Sequence, residues 1–265
     1  MTDQNSDIKV IDEYGREAGH IPARHRAIYL LPNAFTTAAL FAGFFAIVKA
    51  MSHEFNIAAV SIFCAMVLDG MDGRVARLTK TQSAFGEQYD SLADMVSFGV
   101  APALVVYEWQ LHGLGTGRLG LIVAFVYAVC AALRLARFNI NTDVIDKRYF
   151  QGLPSPSAAA LTAGMVWLVE EKDLPIPAEA IPYIAIVVTL FAGLSMITNV
   201  RYYSGKAMDL QHSVPFVKLL MFVGIMLCII AWPPFALFGL FVAYALSGYV
   251  MWLWRWSKGE RKKSA

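Results

Sequence analysis

The chain has 265 residues, of which 57% are hydrophobic and only 16% are charged, and its formal net charge at pH 7 is +2. This composition is far from that of soluble globular proteins, and so small a net charge excludes a large basic surface for nucleic acid. We therefore expect an integral membrane protein that has membrane lipid, and no nucleic acid, among its partners.

The first 32 residues are largely polar, and they lack the ordered basic, apolar and small-residue regions of a secretory signal peptide, so we expect none. Residues 7–31 mix apolar and basic side chains, a pattern that fits either an interfacial helix or a disordered tail. The Pro32-Asn33 pair is expected to precede the first membrane span, since proline disfavours a helix interior.

Eight apolar runs follow, and each comes close to the ~20 residues that a helix needs to cross a bilayer core. They cover residues 33–51, 56–77, 85–109, 119–138, 156–171, 179–198, 214–232 and 235–255. Trp232-Pro233-Pro234 separates the last two so closely that a helical hairpin is predicted. The predicted fold is therefore all-α, a polytopic bundle of about eight transmembrane helices.

Basic residues are concentrated in alternate connections of this predicted bundle. An even number of spans puts both termini on one side, and that side holds all 22 Lys and Arg residues except Lys49, Arg118 and Lys172. By the positive-inside rule, we expect a multi-pass protein of the cell (inner) membrane with both termini in the cytoplasm.

Three cysteines, Cys64, Cys130 and Cys228, each lie inside an apolar run. None has a CxxC or Cys/His spacing, so we expect buried free thiols and not metal ligands.

Four aspartates flank the connection between the second and third spans: Asp69, Asp72, Asp90 and Asp94. Spacings of three and four residues place each pair on one face of its helix. Ionised carboxylates at membrane depth need a compensating cation, and hard divalent cations prefer carboxylate oxygens. The pattern therefore predicts two divalent ions, Mg²⁺ or Mn²⁺, at the cytoplasmic face. Helix capping or pairing with neighbouring basic side chains would explain one or two of the aspartates, but not all four.

The pattern from Asp69 to Asp94, D-x2-D-G-x2-A-R-x8-G-x3-D-x3-D, resembles the signature of the CDP-alcohol phosphotransferase family at every fixed position. The resemblance implies that Asp69, Asp72 and Asp90 are metal ligands. It also implies that Asp94 is both a ligand and the general base that takes the proton of the acceptor alcohol.

The same resemblance implies further site residues and an organisation. The cytidine diphosphate part of the substrate is expected to contact Pro32, Asn33, Gly73, Arg77 and Ser83. Proteins of this family are homodimers with a six-span core, so we expect a homodimer and an additional C-terminal hairpin. The expected units are a cytoplasmic segment at 1–32, amphipathic if helical, the core at 33–198, and the hairpin with its basic tail at 199–265.

The acceptor is suggested by three stretches, at residues 94–103, 134–139 and 152–159, that resemble the phosphatidylserine synthases of this family. Ser157 stands where Ala is expected. This resemblance implies CDP-diacylglycerol and L-serine as substrates. Serine is a zwitterion that needs a cation for its carboxylate, and Arg134, Arg137 and Asn139 are the predicted serine ligands. The two arginines would also fit simple anchoring at the cytoplasmic face.

Two other functions stay open at this stage. Choline or glycerol 3-phosphate would use the same chemistry, and the chain has enough aromatic residues for a choline cage. Intramembrane carboxylates also occur in cation transporters. Against transport, the acids are predicted at one membrane face, and no broken pair of spans recurs in two halves.

Overall fold

The computed structural model describes residues 23–79, 81, 83–114, 118–140, 149–171, 174–203 and 216–258. Within these ranges the fold is a bundle of eight helices with one small antiparallel ribbon. The helices are α1 Ala23–Met51, α2 Phe55–Thr79, α3 Ala84–Leu111, α4 Arg118–Ile140, α5 Ser155–Glu171, α6 Ile181–Ile197, α7 Phe216–Ala231 and α8 Pro233–Ser257. The strands are β1 Tyr149–Gln151 and β2 Arg201–Tyr203.

Six helical segments of the described chain are long and apolar enough to cross a membrane, which confirms a multi-pass membrane protein. They are Leu31–Met51, Phe55–Thr79, Ala84–Leu111, Arg118–Ile140, Ala178–Ile197 and Pro233–Ser257. The other two helices, α5 and α7, have 17 and 16 residues and fall short of the ~20 that usually span the core. By length the structure therefore has six candidate spans, two fewer than the eight predicted.

Helix α5 lies at the centre of the bundle. Almost every side chain from Ala158 to Val166 is buried, and α2 and α8 pack against it. Small residues allow this packing; at Gly164, for example, an added Cβ would lie 3.3 Å from the backbone of Phe238 in α8. Helix α5 is therefore enclosed by other helices over much of its length.

Helices α1 and α3 approach closely at one point. A Cβ on Gly43 would lie 2.6 Å from Oγ of Ser97, and this hydroxyl donates a hydrogen bond of 3.1 Å to the carbonyl of Ala39. At this level α3 widens into π-helical turns at Met95–Val100. The contact fixes the N-terminal half of α3 beside α1, which sets the position of the aspartates on α3.

The β1–β2 ribbon was not foreseen by the all-α prediction. It pairs Tyr149 with Tyr203 and Gln151 with Arg201. Gly152 follows β1 with φ +78°, and a Cβ there would lie 2.2 Å from the carbonyl oxygen of Met196. The ribbon thereby joins the end of α6 to the start of α5.

The expected start of the first helix is corrected by the structure. Helix α1 begins at Ala23, so Pro32 lies inside it and does not precede it. Oγ1 of Thr36, one turn further along the helix, lies 3.2 Å from the carbonyl oxygen of Pro32. Most of the predicted interfacial helix, residues 7–22, lies outside the described residues, whereas the backbone of residues 23–31 is continuous with the first span.

The expectation that all three cysteines are buried is also wrong. All are free, and Cys130 is buried, but Cys64 and Cys228 are exposed. Hydropathy alone cannot separate a side chain that faces lipid from one that faces the protein interior, because both environments are apolar.

Candidate active site

Three aspartates from two helices converge at one end of the bundle. Asp69 and Asp72 lie one turn apart on α2, and Asp90 lies on α3. One carboxylate oxygen from each lies within 4.8 Å of the others. The spacing of three residues on α2 puts its two side chains on the face that meets α3. The predicted convergence of these three acids is therefore present in the structure.

The described surroundings of this cluster satisfy only some of its carboxylate oxygens. Asp72 is only 5% exposed, and its Oδ2 accepts a 2.7 Å hydrogen bond from Thr36. Oδ1 of Asp90 is buried, and no described residue donates to it. Buried carboxylate oxygens need a donor or a cation, and three oxygens in this arrangement fit a hard divalent ion. The residues present therefore suit the predicted metal.

Asp94 lies one helical turn beyond Asp90. Its carboxyl group is close enough to that of Asp69 to share a hydrogen bond, and Asp94 does not belong to the group of three just described. The guanidinium of Arg134 on α4 lies within electrostatic range of both Asp94 and Asp69. Asp94 thus stands between the acidic cluster and a cation.

Arg134 is itself buried, with 8% of its surface exposed. Its Nη1 donates a 2.6 Å hydrogen bond to Oγ of Ser155, which is the first residue of α5 and is fully buried. Its guanidinium carbon lies 6.0 Å from the ring centroid of Phe138. A buried guanidinium without a carboxylate nearby would be costly, so the position of Arg134 depends on the acids of the site.

Arg137 has different contacts from those of Arg134. Its two terminal nitrogens donate to the carbonyls of Gln151, Met196, Ile197 and Thr198, over 3.0–3.4 Å, and to the side chain of Asn199. Three of these carbonyls lie at or just after the C-terminus of α6, where helices leave acceptors unsatisfied. These bonds give Arg137 a structural task in joining α4, α6 and the ribbon.

Asn139 is exposed near the end of α4. Its side chain and that of Ser91 on α3 are joined by hydrogen bonds of 3.1 and 3.2 Å. Ser91 follows Asp90 directly, so this contact ties the end of α4 to the acidic part of α3.

Two of the predicted nucleotide-binding residues meet at the start of α3. Ser83 accepts a 3.0 Å hydrogen bond from the backbone of Gly86 and caps the helix. A Cβ added to Gly86 would lie 3.1 Å from Oγ of Ser83 and 3.5 Å from Oδ1 of Asn33. The glycine therefore keeps a narrow space between the two polar side chains, while Pro32, next to Asn33, is buried.

Gly73 and Arg77 lie on an exposed part of α2. A Cβ on Gly73 would meet no atom within 4 Å, so open space lies beside the cluster here. Nε of Arg77 donates to the carbonyl of Gly73 at 2.9 Å, one turn back along the helix. The guanidinium is thereby held over the same open region.

A family model described as CDP-alcohol phosphatidyltransferase matches residues 29–193, the range that contains every acidic and basic residue of this site. The chain belongs to this family. The match spans α1 to most of α6, and it leaves β2, α7 and α8 outside.

Curated relatives of the family extend the similarity along the chain. A CDP-diacylglycerol–serine O-phosphatidyltransferase of Helicobacter pylori strain 26695 is 37% identical over 227 residues, which cover 85% of this chain and 92% of that protein. The enzyme of the same name from Methanocaldococcus jannaschii is 34% identical, and the matched region covers 72% of this chain and 82% of that protein. One of Mycobacterium tuberculosis H37Rv is 41% identical over 53% of this chain and 50% of its own.

Two residues of the candidate site were not predicted from the sequence. Thr36 holds Asp72, and Ser155 holds Arg134. Thr36 could have been noticed because it follows Asn33 on one face of an otherwise apolar helix. Ser155 lies within the stretch at residues 152–159 that resembles the phosphatidylserine synthases of the family. Nothing in the spacing of that stretch indicates a contact with α4.

The arrangement has the parts of a phosphoryl-transfer site. Acidic oxygens that would hold a divalent ion lie on one side, a carboxylate lies within reach of them, and a buried cation lies beyond. Such a site can bind a pyrophosphate and remove a proton from an attacking hydroxyl.

Proposed function

We propose that the protein transfers the phosphatidyl group of CDP-diacylglycerol to the hydroxyl of L-serine, which gives phosphatidylserine and CMP. The observation that carries the reaction type is the convergence of Asp69, Asp72 and Asp90, with Asp94 beside them. The acceptor is supported by the names of the relatives in Helicobacter and Methanocaldococcus, which this chain matches over most of its length.

The cofactor in this proposal is a pair of divalent cations, Mg²⁺ or Mn²⁺, held by Asp69, Asp72, Asp90 and Asp94. Such ions neutralise pyrophosphate charge and make CMP a better leaving group. Asp69 is close to both Asp72 and Asp94, so its carboxylate would be the one to contribute to holding both ions. Thr36 keeps one oxygen of Asp72 oriented by its 2.7 Å hydrogen bond.

The nucleotide half of the substrate is assigned to the open region beside α2 and the start of α3. Arg77 and Gly73 lie on its α2 side, and the proposal assigns Asn33 and Ser83, which approach each other at Gly86, to its other side. A guanidinium can hold a phosphate by two hydrogen bonds, and a glycine lets the ligand approach the helix backbone. Pro32 contributes through the local shape of α1.

In the transfer step, the serine hydroxyl oxygen forms a bond to the phosphorus of the phosphatidyl group. The bond from that phosphorus to the CMP oxygen breaks, and the hydroxyl proton passes to Asp94. A carboxylate is a suitable base only if it lies within hydrogen-bond reach of the attacking group. Asp94 fits this role because it faces Arg134, which is the cation we assign to the serine carboxylate.

The predicted serine ligands receive unequal support from their contacts. Arg134 is buried near Asp94 and donates a side-chain hydrogen bond to Ser155. Arg137 is engaged by backbone carbonyls, so we assign it to the framework of the site. Asn139 lies at the cytoplasmic end of α4 beside Ser91, where it would border the path of serine into the site.

The same proposal includes the topology and assembly expected from the sequence. Residues 33–198 would form the family core, and residues 199–265 the additional hairpin and basic tail. The shorter helices α5 and α7 would then cross the membrane with the six longer ones, which gives eight spans and puts both termini in the cytoplasm of the cell membrane. We also propose that the protein forms a homodimer.

A comparison of acceptors tests the proposed reaction. Purified protein with CDP-diacylglycerol and Mg²⁺ should release CMP when serine is added, and release little with choline, glycerol 3-phosphate or inositol. Release that depends on one of the other alcohols would keep the chemistry and replace the acceptor. No release with any alcohol, together with metal flux in proteoliposomes, would favour transport.

A further inference from the structure

The last helix, α8, contacts the acceptor end of the site through the β1–β2 ribbon. Two tyrosines form a reciprocal clasp: the hydroxyl of Tyr244 on α8 donates to the carbonyl of Tyr203 at 3.1 Å, and that of Tyr202 donates to the carbonyl of Ala245 at 3.1 Å. Their rings lie 5.6 Å apart. A side chain of β2 thus binds the backbone of α8, and a side chain of α8 binds the backbone of β2.

The clasp depends on a glycine of α8. A Cβ on Gly248 would lie 2.5 Å from the ring of Tyr202, so the ring rests directly on the helix backbone. Tyr202 is fully buried, and burial raises the pKa of its phenol well above the usual range, which keeps it a neutral donor. The ribbon is therefore seated on α8 and is not a loose loop.

The other strand of the ribbon leads to both arginines. Nη2 of Arg137 donates to the carbonyl of Gln151 in β1 at 3.0 Å. Four residues further along the chain, Ser155 accepts the hydrogen bond of Arg134. Gly152 between them is fixed by its own backbone bond to Val200, at 2.8 Å. A shift of the ribbon would therefore move the partner of Arg134.

Tyr244 also lies within electrostatic range of the Arg134 guanidinium itself. It faces the site from a helix that lies beyond residue 193, where the family match ends. Arg134 thus has a hydrogen-bond partner, Ser155, in the matched core and a phenol within electrostatic range on the C-terminal helix outside it.

We propose that Tyr202 and Tyr244 are positioning residues for the acceptor alcohol, which act by holding the ribbon, and through it Ser155 and Arg134, at the acceptor end of the site. The inference rests on the proposed function, because it takes Arg134 as the group that binds the serine carboxylate. The nucleotide end is assigned to α1, α2 and the start of α3, whereas the two hydrogen bonds of the clasp join the ribbon to α8.

The test is the double variant Tyr202→Phe/Tyr244→Phe, which removes both hydroxyls and keeps both rings. In the full-length reconstituted protein, the KM for serine should rise about tenfold. A change of this size corresponds to the free energy of about one hydrogen bond. The KM for CDP-diacylglycerol should not change. Gly248→Ala, which forces the Tyr202 ring away from α8, should give the same pattern by a different route.

Tyr249→Phe is the matched control. Tyr249 lies on the same helix near Tyr202, and its hydroxyl shares a 2.7 Å hydrogen bond with Ser195 on α6. Loss of the Tyr249 hydroxyl should lower thermal stability about as much as the double variant does, and it should leave the KM for serine unchanged.

An unchanged serine KM in the double variant would overturn the inference, as would an equal rise in both KM values or the same rise in the Tyr249→Phe control. If the wild-type protein used another alcohol, the proposed function would fail on that result alone. The clasp would then be judged by the KM of the alcohol actually used.

Discussion

Thr36 on α1 donates a 2.7 Å hydrogen bond to Oδ2 of Asp72 on α2, and both side chains are almost completely buried. A residue of a third helix, α1, thus orients one carboxylate of the acidic cluster on α2 and α3. Hydrogen-bond partners of metal ligands commonly change metal affinity by about 10–100-fold when they are removed.

Thr36→Val is therefore expected to raise the Mg²⁺ concentration needed for half-maximal activity by about tenfold. Valine matches the shape of threonine but cannot donate, so Asp72 would lose its orientation and its oxygen would be left without a partner. Titration of activity with Mg²⁺ measures the effect. Thr36→Ser restores the donor and should restore the wild-type titration; an equal defect in both variants would show that shape, not the hydrogen bond, matters.

Asp94→Asn and Asp69→Asn should fail in different ways. Asp94→Asn cannot accept the acceptor proton, and loss of a general base typically costs about 10²–10⁴ in rate. Asp69→Asn removes charge at the centre of the cluster, so metal and CDP-diacylglycerol binding should weaken together. Single-turnover CMP release and substrate affinity, measured for both variants, separate the two roles. Near-normal release by Asp94→Asn would remove its assignment as base.

The acidic cluster could be predicted from the sequence because it depends on short-range spacing within two helices. Asp69 and Asp72 share a face at three residues' separation, and Asp90 and Asp94 do so at four. The roles of the arginines could not be separated in this way. Arg134 and Arg137 lie three residues apart on α4, and nothing in that spacing distinguishes them. Arg134 binds Ser155, and Arg137 binds carbonyls of residues 196–198; these partners are distant in the chain.

Other features of the fold escaped prediction for related reasons. The ribbon consists of two three-residue strands, which are too short to produce an alternating pattern. Hydropathy predicted a run at each of the eight helices in the described part of the chain, but it put the start of the first at residue 33, whereas α1 begins at Ala23. It also could not tell that Cys64 and Cys228 lie on exposed surfaces.

The two arginines of α4 should respond differently to substitution. Arg134→Lys keeps the charge and loses the planar fork, so the KM for serine should rise about tenfold or more while CDP-diacylglycerol binding is retained. Arg137→Gln breaks several hydrogen bonds to backbone carbonyls. It should chiefly lower the free energy of unfolding, by about 2 kcal/mol, and with it the thermal midpoint. Steady-state kinetics and thermal unfolding in detergent test both. The reverse pattern would exchange the two roles.

The orientation of the site can be tested with single cysteines in a variant that lacks the three native ones. Ser83 is exposed at the start of α3, and Gly113 is exposed just beyond its far end, where a Cβ would meet open space. In intact cells, Gly113→Cys should react with an impermeant thiol reagent and Ser83→Cys should not. Labelling of Ser83→Cys from outside, with Gly113→Cys protected, would invert the topology.

The most direct test of the whole account follows labelled L-serine and CMP in one reaction of the purified protein with CDP-diacylglycerol. We expect lipid-bound serine and CMP to appear in equal amounts, to stop when divalent ions are chelated, and to resume when Mg²⁺ or Mn²⁺ is restored. CMP release without serine incorporation, or equal incorporation after complete chelation, would contradict a metal-dependent transfer to serine.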